Sequence, residues 1–242
     1  MSPNVNVSTA SASASTPIWY KPLMILLLVL SLVLVVLSGR FLLAGIKDVQ
    51  VQLFLDHWQR RGSVPSEQAW KVAHEAAESA VKWSPAADGN AFAQLGRVNE
   101  WYRIDTPFGS EDSNTTRLAA LDAYRAQTEI RPLWPYGWTQ LAFIKLRLLQ
   151  FDEEFHQALI NARQHGGSRA RIHAQLAEIS FIAWPQLSET ERQAAWHSME
   201  AALRYVPRYS KSLTALGDNA GLTPQLCSHV DPAVLQQRRL CR

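Results

Sequence analysis

From Pro22 to Gly39 the chain reads PLMILLLVLSLVLVVLSG without a single charge, and no other feature restricts the fold as much. With Ile18 to Tyr20 before it and Phe41 to Ile46 after it, the apolar zone covers residues 17–46. A helix needs about 20 apolar residues to cross the hydrocarbon of a bilayer. Backbone in that layer must satisfy its own hydrogen bonds, so a single span has to be helical. Trp19, Tyr20 and Lys21 stand at one end and Arg40 at the other, residue types that settle at headgroup depth. A secretory signal peptide is the competing form, but its apolar core runs about 7–15 residues and ends in a small-x-small cleavage site. This run is longer and lacks the site, so the sequence predicts an uncleaved transmembrane anchor.

The flanks differ in kind. Residues 1–16, MSPNVNVSTASASAST, are small and polar with no apolar period, and are expected to form a disordered tail. The remainder is long enough to bury a core, and the chain's 47% hydrophobic and 19% charged residues are globular proportions. A formal charge of +3, with Lys and Arg scattered among Asp and Glu, argues against nucleic acid as a partner. The charges near the span pull two ways on topology. Arg40, Lys47, Arg60 and Arg61 on the C-terminal side favour a cytoplasmic domain, whereas Cys227 and Cys241 suit an oxidising space, where they would pair. In a reducing compartment they would be two free thiols.

Beyond the anchor every segment reads as helix. Residues 47–62 continue helically, with Val49, Leu53 and His57 on one stripe, and are expected to form a stalk. Ser66 begins a second helix whose inner face carries Trp70, Ala73, Ala77, Ala80 and Val81, and Ser84-Pro85 stops it. Further helices are predicted near 89–103, 115–130, 136–150, 153–165, 168–183, 188–205 and 210–217, with a polar loop at 105–114. No stretch alternates like a strand. The fold class is all-α.

The helices also repeat. Ala120-x3-Tyr124 leads to Pro132 and then Trp138-x2-Leu141-Ala142. The same grammar appears at Ala73-x3-Ala77-x2-Ala80, Pro85 and Phe92-x2-Leu95-Gly96, and again at Ala195-x3-Met199-x2-Ala202, Pro207 and Leu213-x2-Leu216-Gly217. Small residues let two helices approach, large apolar ones fill the space beside them, and proline ends the second helix. That is a tetratricopeptide-like order. The prolines lie 47 and then 75 residues apart, the second interval holding a unit with Phe155-x2-Ala158 that ends at Gly166-Gly167 instead. The expected organisation is a tail at 1–16, an anchor at 17–46, a stalk at 47–62, a helical-hairpin array at 63–220 and a C-terminal tail at 221–242.

Motifs for chemistry are scarce. His74-Glu75-Ala76-Ala77-Glu78 lacks the second imidazole of a zinc helix, and Cys227-Ser228-His229 with Cys241 matches no zinc spacing. His165-Gly166-Gly167-Ser168 has no phosphate-loop lysine, and no Gly-x-Ser-x-Gly elbow occurs. Neither metal, cofactor nor enzymatic activity is expected. What remains is surface: in stacked hairpins the first helix of each pair lines a concave groove. There the outward residues are expected to be Arg97, Glu100, Trp101, Tyr136, Thr139, Phe143 and Arg147, among them types that anchor interfaces.

The central string LDAYRAQTEIRPLWPYGWTQLA resembles the tetratricopeptide tails of some bacterial O-antigen ligases and polymerases. In length and layout the whole chain resembles the VpsP-type exopolysaccharide biosynthesis proteins, small membrane-anchored components of bacterial exopolysaccharide systems. The resemblance implies an inner-membrane accessory protein with a periplasmic domain, partnered by polysaccharide polymerase or export components. It supplies no catalytic residues. A chaperone-like adaptor that binds unfolded or nascent polypeptide is the alternative.

Overall fold

The computed structural model describes residues 20–241; the expected tail at 1–16 and the boundary residues Ile18 and Trp19 lie outside them. Among the described residues eleven α-helices follow one another and no strand occurs. The all-α expectation holds.

α1 (Tyr20–Arg61) is one unbroken helix of 42 residues, about 63 Å long at 1.5 Å per residue. It is long and apolar enough to cross a membrane. The stretch expected to be a free stalk is instead packed: Val51, Leu55 and Trp58 are buried against Ala73, Ala76 and Ala77 of α2 (Glu67–Trp83) and Val98 of α3 (Gly89–Trp101). Val49, Leu53 and His57, the stripe read from the sequence, point to solvent. α1 carries apolar residues on opposite faces here, and the alanine surface of α2 takes the one bearing Trp58. α2 runs back along α1 until the Arg40 guanidinium donates to the Lys82 and Trp83 carbonyls, at 3.2 and 3.4 Å, satisfying two of the acceptors a helix end leaves open.

The next helices are α4 (Asn114–Ile130), α5 (Pro135–Arg147), α6 (Glu153–Gly166), α7 (Ala170–Ile182), α8 (Glu189–Tyr205) and α9 (Ser210–Asn219). Local chemistry starts them where the sequence predicts. Ser66, Asp88 and Asp152 accept from the first-turn amides of α2, α3 and α6, Pro135 opens α5, and Ser188 with Glu191 closes a capping box on α8. Successive helices pair, α1 with α2, α3 with α4, α5 with α6 and α7 with α8, and each pair packs on the next. Odd-numbered helices also meet, α1 with α3, α5 with α7 and α7 with α9, and so share one side of the array.

The sequence landmarks sit where the pairs touch. Gly96 of α3 faces the Tyr124 ring of α4, which a Cβ at Gly96 would strike. Ala120, Tyr124, Ala142, Phe155 and Ala158 belong to one buried cluster, and the Trp138 indole donates to the Pro132 carbonyl at 2.7 Å. The polar loop at 105–114 is held rather than free. Arg117, 2% exposed, donates to the carbonyls of Thr106, Pro107 and Arg147, and Arg147 donates to the Ile104 carbonyl at 2.7 Å. Burial, and then the neighbouring Arg147, bring Arg117 down to about 10, so it stays charged at neutral pH.

The expected C-terminal tail is also part of the core. Residues 221–242 contain α10 (Thr223–His229) and α11 (Pro232–Arg238), and Leu222, Leu226, Val230, Val234 and Leu235 are buried with Met199, Leu203 and Leu213. Cys227 and Cys241 form a disulfide across α11.

Candidate functional site

The shared side of the odd-numbered helices is hollowed into a cleft of about 560 Å³. α1 lends it Asp56 and Gln59, α3 lends Arg97, Glu100 and Trp101, α5 lends Tyr136, Thr139, Gln140 and Phe143, and α7 lends Arg171, Gln175 and Glu178. An adjoining recess shares Arg97, Tyr136 and Gln140 with it and runs on to Gln94, Gln127 and Trp134.

Of the residues expected in the groove, Arg97, Glu100, Trp101, Tyr136, Thr139 and Phe143 line this cleft. They do so in different ways. The aromatics are half-buried, Trp101 tilted against Trp58 with ring centres 5.9 Å apart and Tyr136 against Trp134 at 5.3 Å, leaving apolar edges to the cavity. Thr139 is 1% exposed and its hydroxyl donates to the Tyr136 carbonyl at 2.9 Å, so it contributes shape and no free polar group. Glu100 accepts the Tyr124 hydroxyl. Burial raises its carboxyl, while that hydrogen bond and the charges of Arg147, Arg97 and Arg117 pull the other way. Burial also raises Glu178 across the cleft.

Arg147 does not belong to the site. It is buried and committed to the Ile104 carbonyl, holding the 105–114 loop against the end of α5. Its position on α5 suggests the groove, but the Ile104 carbonyl claims its guanidinium first.

The structure adds residues that the sequence reading missed. Gln94-Leu95-Gly96 on α3, Gln140-Leu141-Ala142 on α5 and Gln175-Leu176-Ala177 on α7 are the same string at the same place in successive units. The leucine and the small residue face the core, and the glutamine borders the cleft or its recess. The string on α7 shows a unit whose preceding helix ends in glycine, where proline-based punctuation does not point. The side-chain oxygens of Gln94, Gln127 and Gln175 are shut off from solvent and have no hydrogen-bond partner among the described residues. Buried polar atoms left this way cost about 1–3 kcal/mol each.

Chemically, the cleft offers amides that both donate and accept, two arginines against three carboxyl groups, and aromatic edges. Among the described residues no cluster of three His, Cys, Asp or Glu side chains could hold a metal ion. No family model and no curated protein matches the chain.

Proposed function

We propose that the protein is a single-pass membrane-anchored adaptor that holds an extended segment of a partner protein in the cleft and performs no chemistry of its own. The observation that carries this reading is the glutamine series, Gln94, Gln140 and Gln175, at equivalent positions on α3, α5 and α7. A carboxamide matches a peptide unit, donating to its C=O and accepting from its N–H. Packed helices such as α5 and α7 lie about 8–10 Å apart, and an extended chain advances about 3.3 Å per residue, so the amides of Gln140 and Gln175 would meet it roughly three residues apart. The paired helices, the small residues at their contacts and the shared concave side support a tetratricopeptide-like array, whose groove commonly serves as a binding surface. The sequence resemblance supports placing this adaptor in bacterial exopolysaccharide assembly or export, with a polymerase or export component as partner. The Cys227–Cys241 disulfide favours a periplasmic domain.

The test is peptide binding by the full chain in lipid nanodiscs. Peptides selected from a random library are measured by fluorescence anisotropy against the wild type and against Gln140→Ala with Gln175→Ala. Loss of a peptide-backbone hydrogen bond at about 1–1.5 kcal/mol predicts roughly 10-fold weaker binding per site. Saturable binding that the double variant leaves untouched, or turnover of a glycan by the purified protein, would end this reading.

A further inference from the structure

α1 has a second apolar face that no described residue of the chain covers. Leu42, Ile46, Val49 and Leu53 are 66%, 55%, 59% and 63% exposed, while Val51, Leu55 and Trp58 on the opposite side are buried. This stripe lies on the domain side of Arg40, the cation expected at headgroup depth. The Arg40 guanidinium, bound to the end of α2, marks the level at which α2 begins to accompany α1, and α2 carries exposed Lys71, Glu75, Glu78 and Lys82. From Leu42 to Leu53, about 17 Å of helix, apolar side chains therefore stand beside a helix built for water.

Their spacing identifies what fits them. The steps of four, three and four residues are those of a heptad seam, with Leu42 and Val49 at one core position and Ile46 and Leu53 at the other. The seam continues without a break through Gly39, Val35, Leu32 and Leu28 in the apolar half of α1. It ends at Asp56 and Arg60, the next two seam positions. A heptad face is complementary to a copy of itself in parallel, and two chains inserted in one membrane with one topology must run parallel and level. The flanking positions, Leu43, Gly45, Gln50 and Gln52, carry no charge, so a second identical helix meets no like-charge repulsion along its edges. Val51 lies diametrically opposite the seam and is held by α2, which leaves the seam side clear for a neighbour.

We propose that α1 pairs in parallel with the α1 of a second copy of this chain, through Leu42, Ile46, Val49 and Leu53 above the membrane. The proposal rests on the anchor half of the function proposed above, and carbonate extraction of the same membranes reports on that half separately. The native cysteines are bonded to each other, so a single introduced cysteine is the reactive thiol in the described chain. Cysteine is placed at Leu42, Ile46, Val49 and Leu53 in turn, and at Lys47 and Asp48 as off-seam controls, in the full chain in membranes. After mild oxidation the seam positions are expected to give a band at twice the chain mass, roughly tenfold stronger than the controls. Val49→Lys with Leu53→Lys, both exposed, should abolish cross-linking at Ile46→Cys and leave the melting temperature within a few degrees of the parent. Even labelling of all positions would overturn the proposal, as would adducts only to other proteins. So would cross-linking at Leu42 alone with none at Val49 or Leu53, which would confine any pairing to the bilayer.

Discussion

Glu154→Gln probes the polar centre of the array and carries its own pH signature. The Lys145 side chain is wholly buried, with its ammonium 2.9 Å from Asp152 and 2.6 Å from Glu154. Arg125 grips the same glutamate with two parallel bonds, Nε to Oε1 at 2.8 Å and Nη2 to Oε2 at 2.7 Å. One carboxylate thus joins α4, α5 and α6. The Arg125 bonds, then Lys145, outweigh burial and hold Glu154 at about 2, against an ordinary 4.5. That difference is equivalent to about 3 kcal/mol if taken in full. With the side chain 35% exposed, solvent screening reduces it to about 1–2 kcal/mol. Because the folded pKa is depressed, this stability is complete above the unfolded value and disappears as pH falls from about 4.5 towards 2. Thermal unfolding of the full chain in neutral detergent, followed by circular dichroism from pH 7 to 2.5, measures it. The variant should melt about 3–6 °C lower at pH 7. It should lose less stability than the parent below pH 4.5, so that the two curves converge at the acid end. A constant offset at every pH would refute the electrostatic account and leave only lost packing.

The hairpin contacts and the C-terminal cap give further predictions. Gly96→Ala places a methyl group against the buried Tyr124 ring, whose hydroxyl is fixed on Glu100. Net destabilisation of about 1–2 kcal/mol is expected although alanine is the better helix former by about 1 kcal/mol, and a melting temperature at or above the parent's would contradict the contact. Ala120→Leu, at a position with no exposure, should cost about 1–3 kcal/mol by overpacking; an unchanged melting temperature would say that Ala120 has room beside it. Replacing both Cys227 and Cys241 with serine opens a loop whose ends are 14 residues apart. It should cost about 3 kcal/mol, read as faster amide exchange in α10 and α11 than in α5.

The parts of this fold legible in the sequence are those decided locally. Ser66, Asp152 and Ser188 cap because a short polar side chain can reach a first-turn amide wherever it stands, and Pro135 starts a helix for equally local reasons. The misread parts depended on partners far away in sequence. α1 carries two apolar stripes, and period alone does not say whether Val49 and Leu53 or Val51 and Leu55 face the domain; the small residues of α2 decide it. The last residues read as a tail because α10 and α11 have seven residues each, too short for a periodic signal. Arg147 stands on α5 where the groove is expected, and nothing in its sequence neighbourhood announces that Ile104, some forty residues earlier, returns to it. The cleft glutamines were visible as a repeated Gln-Leu-small string, but their meaning needed the odd-numbered helices brought together on one side.

The continuity of α1 has a consequence for how a partner could engage the cleft. The helix that enters at Tyr20 also caps α2 through Arg40, packs the first core cluster through Val51, Leu55 and Trp58, and lends Asp56 and Gln59 to the cleft. No loop separates the apolar half from the part of α1 that borders the cleft. With α1 inserted as proposed, the height of the cleft above the bilayer is set by helix geometry: the 16 residues from Arg40 to Asp56 rise about 24 Å. A segment tethered in the same membrane would have to present itself at that height, which a loop of a membrane protein can do and a transmembrane segment cannot. Pairing along the Leu42–Leu53 seam would then fix two clefts at one height, so that a partner with two such loops would bind with an effective concentration set by the seam.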